Sequence, residues 1–317
     1  MFCKDYGLNI LTKYNKGVKE FKGKKMQEVI SNEVATEENT LNTNQNSPQS
    51  NPQGNKFNSE IKKIKSIDFN CDLAQSFGIY KNETEFEMLD YVSSVNISTG
   101  FHAGDPLTIK KALLTAKEKN VVIGAHIGFN DIQGFGNRAM TLTEDETEAI
   151  VIYQVSAIMS FAKAFGLEIE HVRSHGAMYK TASENFSFAC AIAKAVKKCS
   201  NWLVYYGAAG DVTAKVGEFV KIPIAQEVRL DKTYTANGTV DYSMEDIVNT
   251  EFSIKRLQNL LRSSQIDNIN RGVSPVEANT IHFSSSAANS LELVKRASEI
   301  ITPIPVNFNN VQDSGWV

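Results

Sequence analysis

Histidine is rare in this chain, and three of its five copies lie in short glycine-containing stretches that follow apolar runs. His102 lies in "NISTGFHAGDP", His126 in "VVIGAHIGFND" and His175 in "HVRSHGAMY". An imidazole ionises near neutral pH, so it serves as a general acid or base, and its neutral form binds divalent metals. Asp72, in "FNCDLAQSFG", places a carboxylate at the end of a fourth apolar run. These four residues are predicted to form one catalytic site, provided that the fold brings them together.

Each of these residues also has a simpler explanation. His102 could fill a tight turn, His126 could cap a helix, and Asp72 could be the N-cap of the element that follows it. Their shared placement after apolar runs favours a functional site over separate coincidences. The other two histidines are given structural roles. His171 is predicted to be core or supporting, and His282, within the last apolar run, is predicted to be buried and hydrogen-bonded.

Seven short apolar runs alternate with longer segments of helical periodicity, which predicts parallel strands joined by crossover helices. Periodicity alone does not distinguish a closed barrel from an open doubly wound sheet. Both folds bind ligands at the carboxyl ends of their strands. The predicted strands are Ser66–Cys71, Ser94–Thr99, Val121–His126, Ile169–Ser174, Trp202–Gly207, Ile222–Val228 and Asn279–Ser284.

Three of the intervening segments show clear helical patterns, at residues 107–120, 143–166 and 243–264. The second opens with Thr143, a suitable N-cap, carries acids in its first turn and ends at Gly166. Several further polar residues fall on or just after the predicted strand ends. They are Asn70, Asp105, Arg138, Arg173, Asp231 and Lys232.

The composition indicates a globular protein without nucleic-acid or membrane partners. The 317 residues are 42% hydrophobic and 22% charged, with a net charge of −3 and no sustained basic stripe. No apolar run approaches the ~20 residues that span a bilayer. The cysteines Cys3, Cys71, Cys190 and Cys199 form no CxxC pair, which favours reduced thiols. A cytoplasmic protein is expected.

The N-terminal region differs in composition from the rest of the chain. Residues 37–58 are rich in Asn, Gln, Ser and Pro and nearly free of aliphatic side chains. Such a segment cannot bury enough apolar surface to offset its chain entropy, so it is predicted to be disordered. We therefore predict an extension over residues 1–61, largely disordered, and a single folded domain over residues 62–317.

The ordered motifs resemble the LamB/YcsF family, the A subunits of prokaryotic ATP-dependent 5-oxoprolinase. The matching stretches are "NCDLAQSFG", "NISTGFHAGDP", "IGAHIGFND", "GFGNR", "HVRSHGAMY" and "EVRLDKTY". The resemblance implies a seven-stranded (β/α) barrel, TIM-like and of the glycoside hydrolase/deacetylase type. It also implies ring opening of 5-oxo-L-proline to L-glutamate, coupled to ATP hydrolysis, in a complex with B and C subunits.

The resemblance also suggests roles for individual residues. Asp72, His102, His126 and His175 carry over as the catalytic centre, and barrels of this wider group bind a divalent metal, here expected at Asp72, His102 and His175. A substrate carboxylate would need a cation, from Arg138, Arg173 or Lys232. Asp105 or Asp231 could orient a histidine. Asn70 completes the expected substrate-binding set.

The chain departs from the family pattern at three positions that matter for proton transfer. Gln75 stands where the family has a glutamate, and Ser284 and Ser286 stand where it has a histidine and an aspartate. Neither an amide nor an aliphatic hydroxyl ionises near neutral pH, so neither replaces a titrating acid or base. Two further functions therefore stay open. One is a catalytically impaired homologue that binds a ligand or a partner, and the other is a different metal-dependent amide hydrolase or deacetylase.

Overall fold

The structure is a computed structural model that describes residues 67–77, 81–82 and 84–306. Within these residues seven parallel strands close into a barrel, and a separate antiparallel hairpin lies outside it. In chain order the strands are β1 (Asp68–Leu73), β2 (Ser94–Ser98), β3 (Val122–Ile127), β4 (His171–Ser174), β5 (Val204–Ala208), β6 (Ile224–Arg229), β7 (Gln265–Asp267), β8 (Val273–Pro275) and β9 (Thr280–Phe283). Strands β7 and β8 form the hairpin, and β9 pairs with both β1 and β6 to close the barrel.

The closed barrel confirms the expected fold and decides between the two architectures that the sequence left open. All seven predicted strands are present, and β1 begins and ends two residues later than predicted. Asp72 therefore lies within β1 rather than after it. The predicted extension over residues 1–61 lies outside the described residues. None of the described helices is long and apolar enough to cross a bilayer.

The helices pack around the barrel, and their N-caps follow from the sequence. Thr143 and Glu146 form a reciprocal capping box at the start of the longest helix, as its sequence predicts. The helix predicted over residues 243–264 begins only at Thr250, because Asn249 caps it by accepting from the amide of Phe252. The helices are α1 (Thr84–Glu87), α2 (Pro106–Lys119), α3 (Glu144–Ala164), α4 (Gly176–Glu184), α5 (Phe186–Cys199), α6 (Asp211–Val220), α7 (Thr250–Ser263) and α8 (Ser290–Ile300).

The barrel interior is polar, whereas the layer between strands and helices is aliphatic. Strand residues point alternately inward and outward, so Asp68, Asn70 and Asp72 of β1 share the inner face. Deep in the barrel, Asp68 accepts hydrogen bonds from Ser94 Oγ at 2.9 Å and Thr280 Oγ1 at 2.5 Å. Burial raises the pKa of Asp68 to about 6 despite these bonds.

A glycine on β3 makes room for a buried ring on β4. A Cβ at Gly124 would lie 2.3 Å from Nε2 of His171, which is its neighbour in the strand register. The freed space lets His171 stack on Tyr206 at 4.2 Å and hydrogen-bond Asn96 Oδ1 at 2.9 Å. His171 is thus a buried supporting residue, as predicted.

Gly124→Ala should destabilise the barrel by about 1–3 kcal/mol, because the added methyl overlaps a side chain that cannot move away. Gly272→Ala is the matched control, since the nearest atom to its new Cβ would be 3.6 Å away. Chemical denaturation of both variants measures the difference in unfolding free energy. Equal stabilities for the two variants would contradict the steric role of Gly124.

Candidate active site

A cavity of about 570 Å³ opens at the carboxyl ends of the barrel strands. Its walls come from the ends of β1 and β9, the loop after β3, the first turns of α4 and the segment after β6. The residues that carry chemistry there include acids, bases and cations. They are Asp72, Gln75, Arg173, His175, Tyr179, Lys180, Glu184, Arg229, Lys232, Tyr242, Asp246, His282, Ser284 and Ser286.

Asp72 is the buried carboxylate on which the hydrogen bonds of the cavity floor converge. Its Oδ1 accepts from Asn96 Nδ2 at 3.2 Å and from His282 Nε2 at 3.0 Å, and its Oδ2 accepts from Gln75 Nε2 at 3.3 Å. Burial opposes ionisation, but the neighbouring His126, His282 and Arg173 together hold the pKa of Asp72 well below its usual range. Asp72 is therefore an anion at neutral pH.

Arg173 places a permanent positive charge beside Asp72. Its guanidinium makes two parallel bonds of 2.8 Å to the buried carboxylate of Glu227 on β6. Its third nitrogen lies 3.0 Å from Nε2 of His126 and 3.6 Å from Oδ1 of Asp72. Because a guanidinium only donates, Nε2 of His126 accepts, and the proton of that neutral ring is on Nδ1, which faces Asp72 at 3.5 Å.

Three of the predicted histidines come together above Asp72. The rings of His102 and His175 stack with centroids 4.1 Å apart, and His126 lies edge-on to both at 5.0 and 4.8 Å. Burial holds the pKa values of His102 and His126 well below the usual range and lowers that of His175 to about 4. All three rings are therefore neutral at pH 7.

Hydrogen bonds select one tautomer of His175. Its Nε2 lies 2.8 Å from the carbonyl oxygen of Phe135, so Nε2 carries the proton and Nδ1 keeps its lone pair. The loop that supplies this carbonyl passes close to the histidines only because of Gly136. A Cβ at Gly136, where φ is +72°, would lie 2.7 Å from Cδ2 of His175 and 2.8 Å from Cβ of His102.

Asp131 holds the same loop in place from outside the cavity. One of its carboxylate oxygens accepts from the Gly134 amide at 2.9 Å and from Nε of Arg138 at 2.7 Å. The side chain of Arg138 is 61% exposed and does not line the cavity. The sequence grouped Arg138 with the substrate-binding residues, but its contacts are those of a loop anchor.

The remaining predicted substrate-binding residues lie at different distances from the cavity. Asp105 is the N-cap of α2, accepting from the Thr108 amide at 2.8 Å, and it does not line the cavity. Asn70 lies below the cavity and donates to Glu227 and Thr280. Asp231 lies behind the wall and pairs with Arg229, whereas Lys232 and Arg173 reach the cavity directly.

Several residues that line the cavity were not assigned to the site from the sequence, and two of them matter for its chemistry. His282 was assigned a structural role, and its burial and hydrogen bond confirm that prediction, but its partner is Asp72 and it lies on the cavity wall. Lys180, one helical turn into α4, was not considered. The alternation of side chains along a strand could have identified His282, because it lies two residues after Thr280 and therefore on the same inward face of β9.

The structure groups different metal-ligand candidates from those that the sequence predicted. Donor atoms of His102, His126 and His175 all lie within 4.8 Å of one another. Among the described residues, these three side chains form a group that could bind a metal ion. Asp72 is outside this group, and its oxygens accept from His282, Asn96 and Gln75. His126, which was assigned only a catalytic role, is inside it.

The buried neutral histidines make stability depend on pH. His171 has a folded-state pKa of about 3, against an unfolded value near 6.5. As pH falls below about 6.5, the unfolded chain takes up a proton that the folded chain refuses, so stability present at pH 7 is lost. His171→Gln keeps a donor for Asn96 but cannot titrate. Its unfolding free energy should fall less steeply between pH 6.5 and 5, by up to about 1.4 kcal/mol per pH unit.

Urea denaturation at half-unit pH intervals measures both slopes. Identical slopes for the wild type and His171→Gln would mean that His171 accepts a proton in the folded state. The variant leaves His102, His126 and His175 unchanged, so these residues contribute equally to the slopes of the wild type and the variant.

The comparisons with known proteins agree with this barrel and cavity. The LamB/YcsF family profile matches residues 67–314. The A subunit of 5-oxoprolinase from Bacillus cereus is 37% identical over 235 residues, which cover 73% of this chain and 93% of that protein. The A subunit of 5-oxoprolinase from Geobacillus kaustophilus is 36% identical over 236 residues, covering 74% and 92%.

The structural comparison gives the same result. The crystal structure of a lactam utilization protein from Thermus thermophilus matches with a TM-score of 0.70 and 32% identity, covering 74% of this chain and 96% of that one. The family profile spans the whole described barrel. This chain belongs to the LamB/YcsF family.

Proposed function

We propose that this chain is the A-type component of a multi-subunit hydrolase that opens 5-oxo-L-proline to L-glutamate, with B- and C-like subunits and ATP. The names of its relatives support a lactam substrate and a role within a complex. The observation that carries the proposal is the cavity itself. It gathers an ionised carboxylate, a permanent cation and a neutral histidine, at Asp72, Arg173 and His175, within one enclosed polar space.

Ring opening of a lactam requires groups of this kind, because amide resonance makes the carbonyl a poor electrophile. The carbonyl must be activated, water must attack, and the ring nitrogen must receive a proton. His175 is neutral, and its Nδ1 lone pair is free to take a proton from water and return it to the nitrogen. In the ATP-coupled reaction, the assembled complex would transfer the terminal phosphoryl group of ATP to the lactam oxygen and release ADP. Water would then add to the activated carbon, the ring C–N bond would break to leave an acyl phosphate, and a second water would convert it to glutamate and inorganic phosphate.

Asp72 and Arg173 define the electrostatics of this reaction. Asp72 stays ionised, so it stabilises positive charge that forms on a neighbouring histidine. Arg173 offers its positive charge to the oxygen that becomes negative as water adds. Arg173 and Asp72 lie 3.6 Å apart, so a small substrate on the cavity floor can contact a positive and a negative group at the same time.

A second candidate function is supported by the same cavity. Gln75 lines it and cannot act as a base, since an amide takes up no proton near neutral pH; its side chain donates to Asp72 Oδ2 and accepts from Ser285 Oγ. Ser284 and Ser286 also line it and hydrogen-bond each other at 3.0 Å. These substitutions favour an impaired homologue that binds a lactam without turnover. A different amide hydrolase or deacetylase would need the divalent metal considered below.

The deciding experiment measures glutamate formed from 5-oxo-L-proline and ATP by the purified chain together with B- and C-type subunits. The wild type should form glutamate, and Asp72→Asn should lower kcat by about 10²–10⁴-fold, because the histidine that takes up the proton loses the carboxylate that stabilises its positive charge. Asp145→Asn, an exposed acid on α3, is the matched control and should leave the rate unchanged.

Two outcomes would contradict the enzyme proposal. Binding of 5-oxo-L-proline without glutamate in any combination of subunits would support the impaired homologue instead. Equal rates for the wild type and Asp72→Asn would show that the glutamate comes from another component of the mixture.

As an alternative to proton transfer by His175, we further propose that His102, His126 and His175 can hold one divalent metal ion, which would use the lone pair on Nδ1 of His175. They fit it by kind and spacing, since all three are neutral imidazoles with donor atoms within 4.8 Å of one another. Nδ1 of His102 is buried without a hydrogen-bond partner in the described part of the chain. His126 would bind a metal only in competition with Arg173, which occupies its Nε2. A bound ion would polarise an amide carbonyl.

Zinc titration by calorimetry, with elemental analysis of the native protein, tests this ligand set. The wild type and Asp72→Asn should each bind one equivalent of Zn²⁺, and His126→Ala should bind none. Loss of zinc in Asp72→Asn with retention in His126→Ala would favour the ligand set predicted from the sequence. Absence of binding in the wild type would exclude the metal.

A further inference from the structure

The cations that line the cavity are not equivalent. Arg173 is paired with Glu227 at 2.8 Å, and Arg229 is paired with Asp231 at 2.6 Å. Lys232 contacts Asp246, which lies on the segment before α7. Each of these positive charges already has a carboxylate partner in the protein, so none of them offers an unpaired charge to a carboxylate of the substrate.

Lys180 differs from the other lining cations. No carboxylate of the described residues lies within ion-pair distance of its Nζ, which lies over the ring of Tyr242 at 5.6 Å from the ring centroid. Asp241, the neighbour of Tyr242, accepts from the amide and hydroxyl of Ser243, and these bonds, with a smaller effect of the Lys180 charge, lower its pKa without forming an ion pair. Glu184 follows one turn later on α4 and lines the same cavity without pairing with Lys180.

We propose that Lys180 binds the carboxylate of the substrate and so determines that the cavity accepts an acidic lactam. This inference rests on the proposed function, since 5-oxo-L-proline carries a carboxylate on the carbon next to its ring nitrogen. A carboxylate in this cavity must give up water, which is unfavourable unless a cation replaces it. Lys180 supplies that charge from the rim, on a flexible side chain that can follow the ligand.

The position of Lys180 at the rim also fits a substrate that enters with its lactam ring towards the cavity floor. It lies on α4 five residues after His175, the residue proposed to move the proton, and both line the same cavity. A carboxylate held at the rim by Lys180 would leave the lactam ring facing the floor, where Asp72 and Arg173 lie. Lys180 is thus a specificity residue, and it does not act on the scissile bond.

The test compares a charged with an uncharged lactam. Binding of 5-oxo-L-proline and of 2-pyrrolidinone, which lacks the carboxylate, is measured by calorimetry for the wild type, Lys180→Gln and Lys180→Arg. Lys180→Gln should weaken 5-oxo-L-proline binding by about 10- to 100-fold, the range of a charge-assisted hydrogen bond. It should leave 2-pyrrolidinone unchanged, and Lys180→Arg should keep most of the affinity.

Lys163→Gln, an exposed lysine in the last turn of α3, is the matched control and should change neither ligand. In the turnover assay, Lys180→Gln should raise KM and leave kcat within a few-fold. Equal 5-oxo-L-proline binding by Lys180→Gln and the wild type would overturn the inference while leaving the proposed function intact. Absence of both binding and turnover in the wild type would overturn the two together.

Discussion

The barrel interior depends on one buried ion pair, between Arg173 and Glu227. Both side chains are almost completely enclosed, and each ion loses several kcal/mol of hydration when it is buried. Two parallel bonds of 2.8 Å offset that loss, and each member of the pair has a further partner on another strand. Glu227 accepts from Asn70 on β1, and Arg173 donates to His126 on β3. One interaction therefore connects four of the seven barrel strands.

The chemistry of the cavity follows from the same pair. Because Arg173 can only donate, it fixes the tautomer of His126, and its charge helps to keep Asp72 ionised. The histidines above them stay neutral because they are buried beside a permanent cation. A site of this kind is rigid and electrostatically preorganised, so its groups need little rearrangement when a substrate develops charge. The stability of the barrel and the properties of the site cannot be changed independently.

Much of this arrangement could be predicted from the sequence. The seven strands follow from apolar runs spaced by helical segments, and the capping box at Thr143 follows from local hydrogen-bonding chemistry. The convergence of Asp72 with the histidines follows from parallel strands, whose carboxyl ends must share one edge. The predictions that differ from the structure concern which group a polar side chain binds. Asp105 and Arg138 have the right charge and position along the chain, but a helix amide and Asp131 bind them.

The sequence by itself determined which residues alternate, where helices are capped and which strand ends carry polar groups, because these depend on neighbours within a few positions. Only the tertiary structure decided that the sheet closes, that Glu227 neutralises Arg173, and that His282 contacts Asp72 across 210 positions. It also decided that Lys180 lines the cavity without a carboxylate partner within ion-pair distance in the described part of the chain. The physical reason is that pairing, burial and pKa depend on distances between atoms far apart in the chain, which composition and periodicity do not contain.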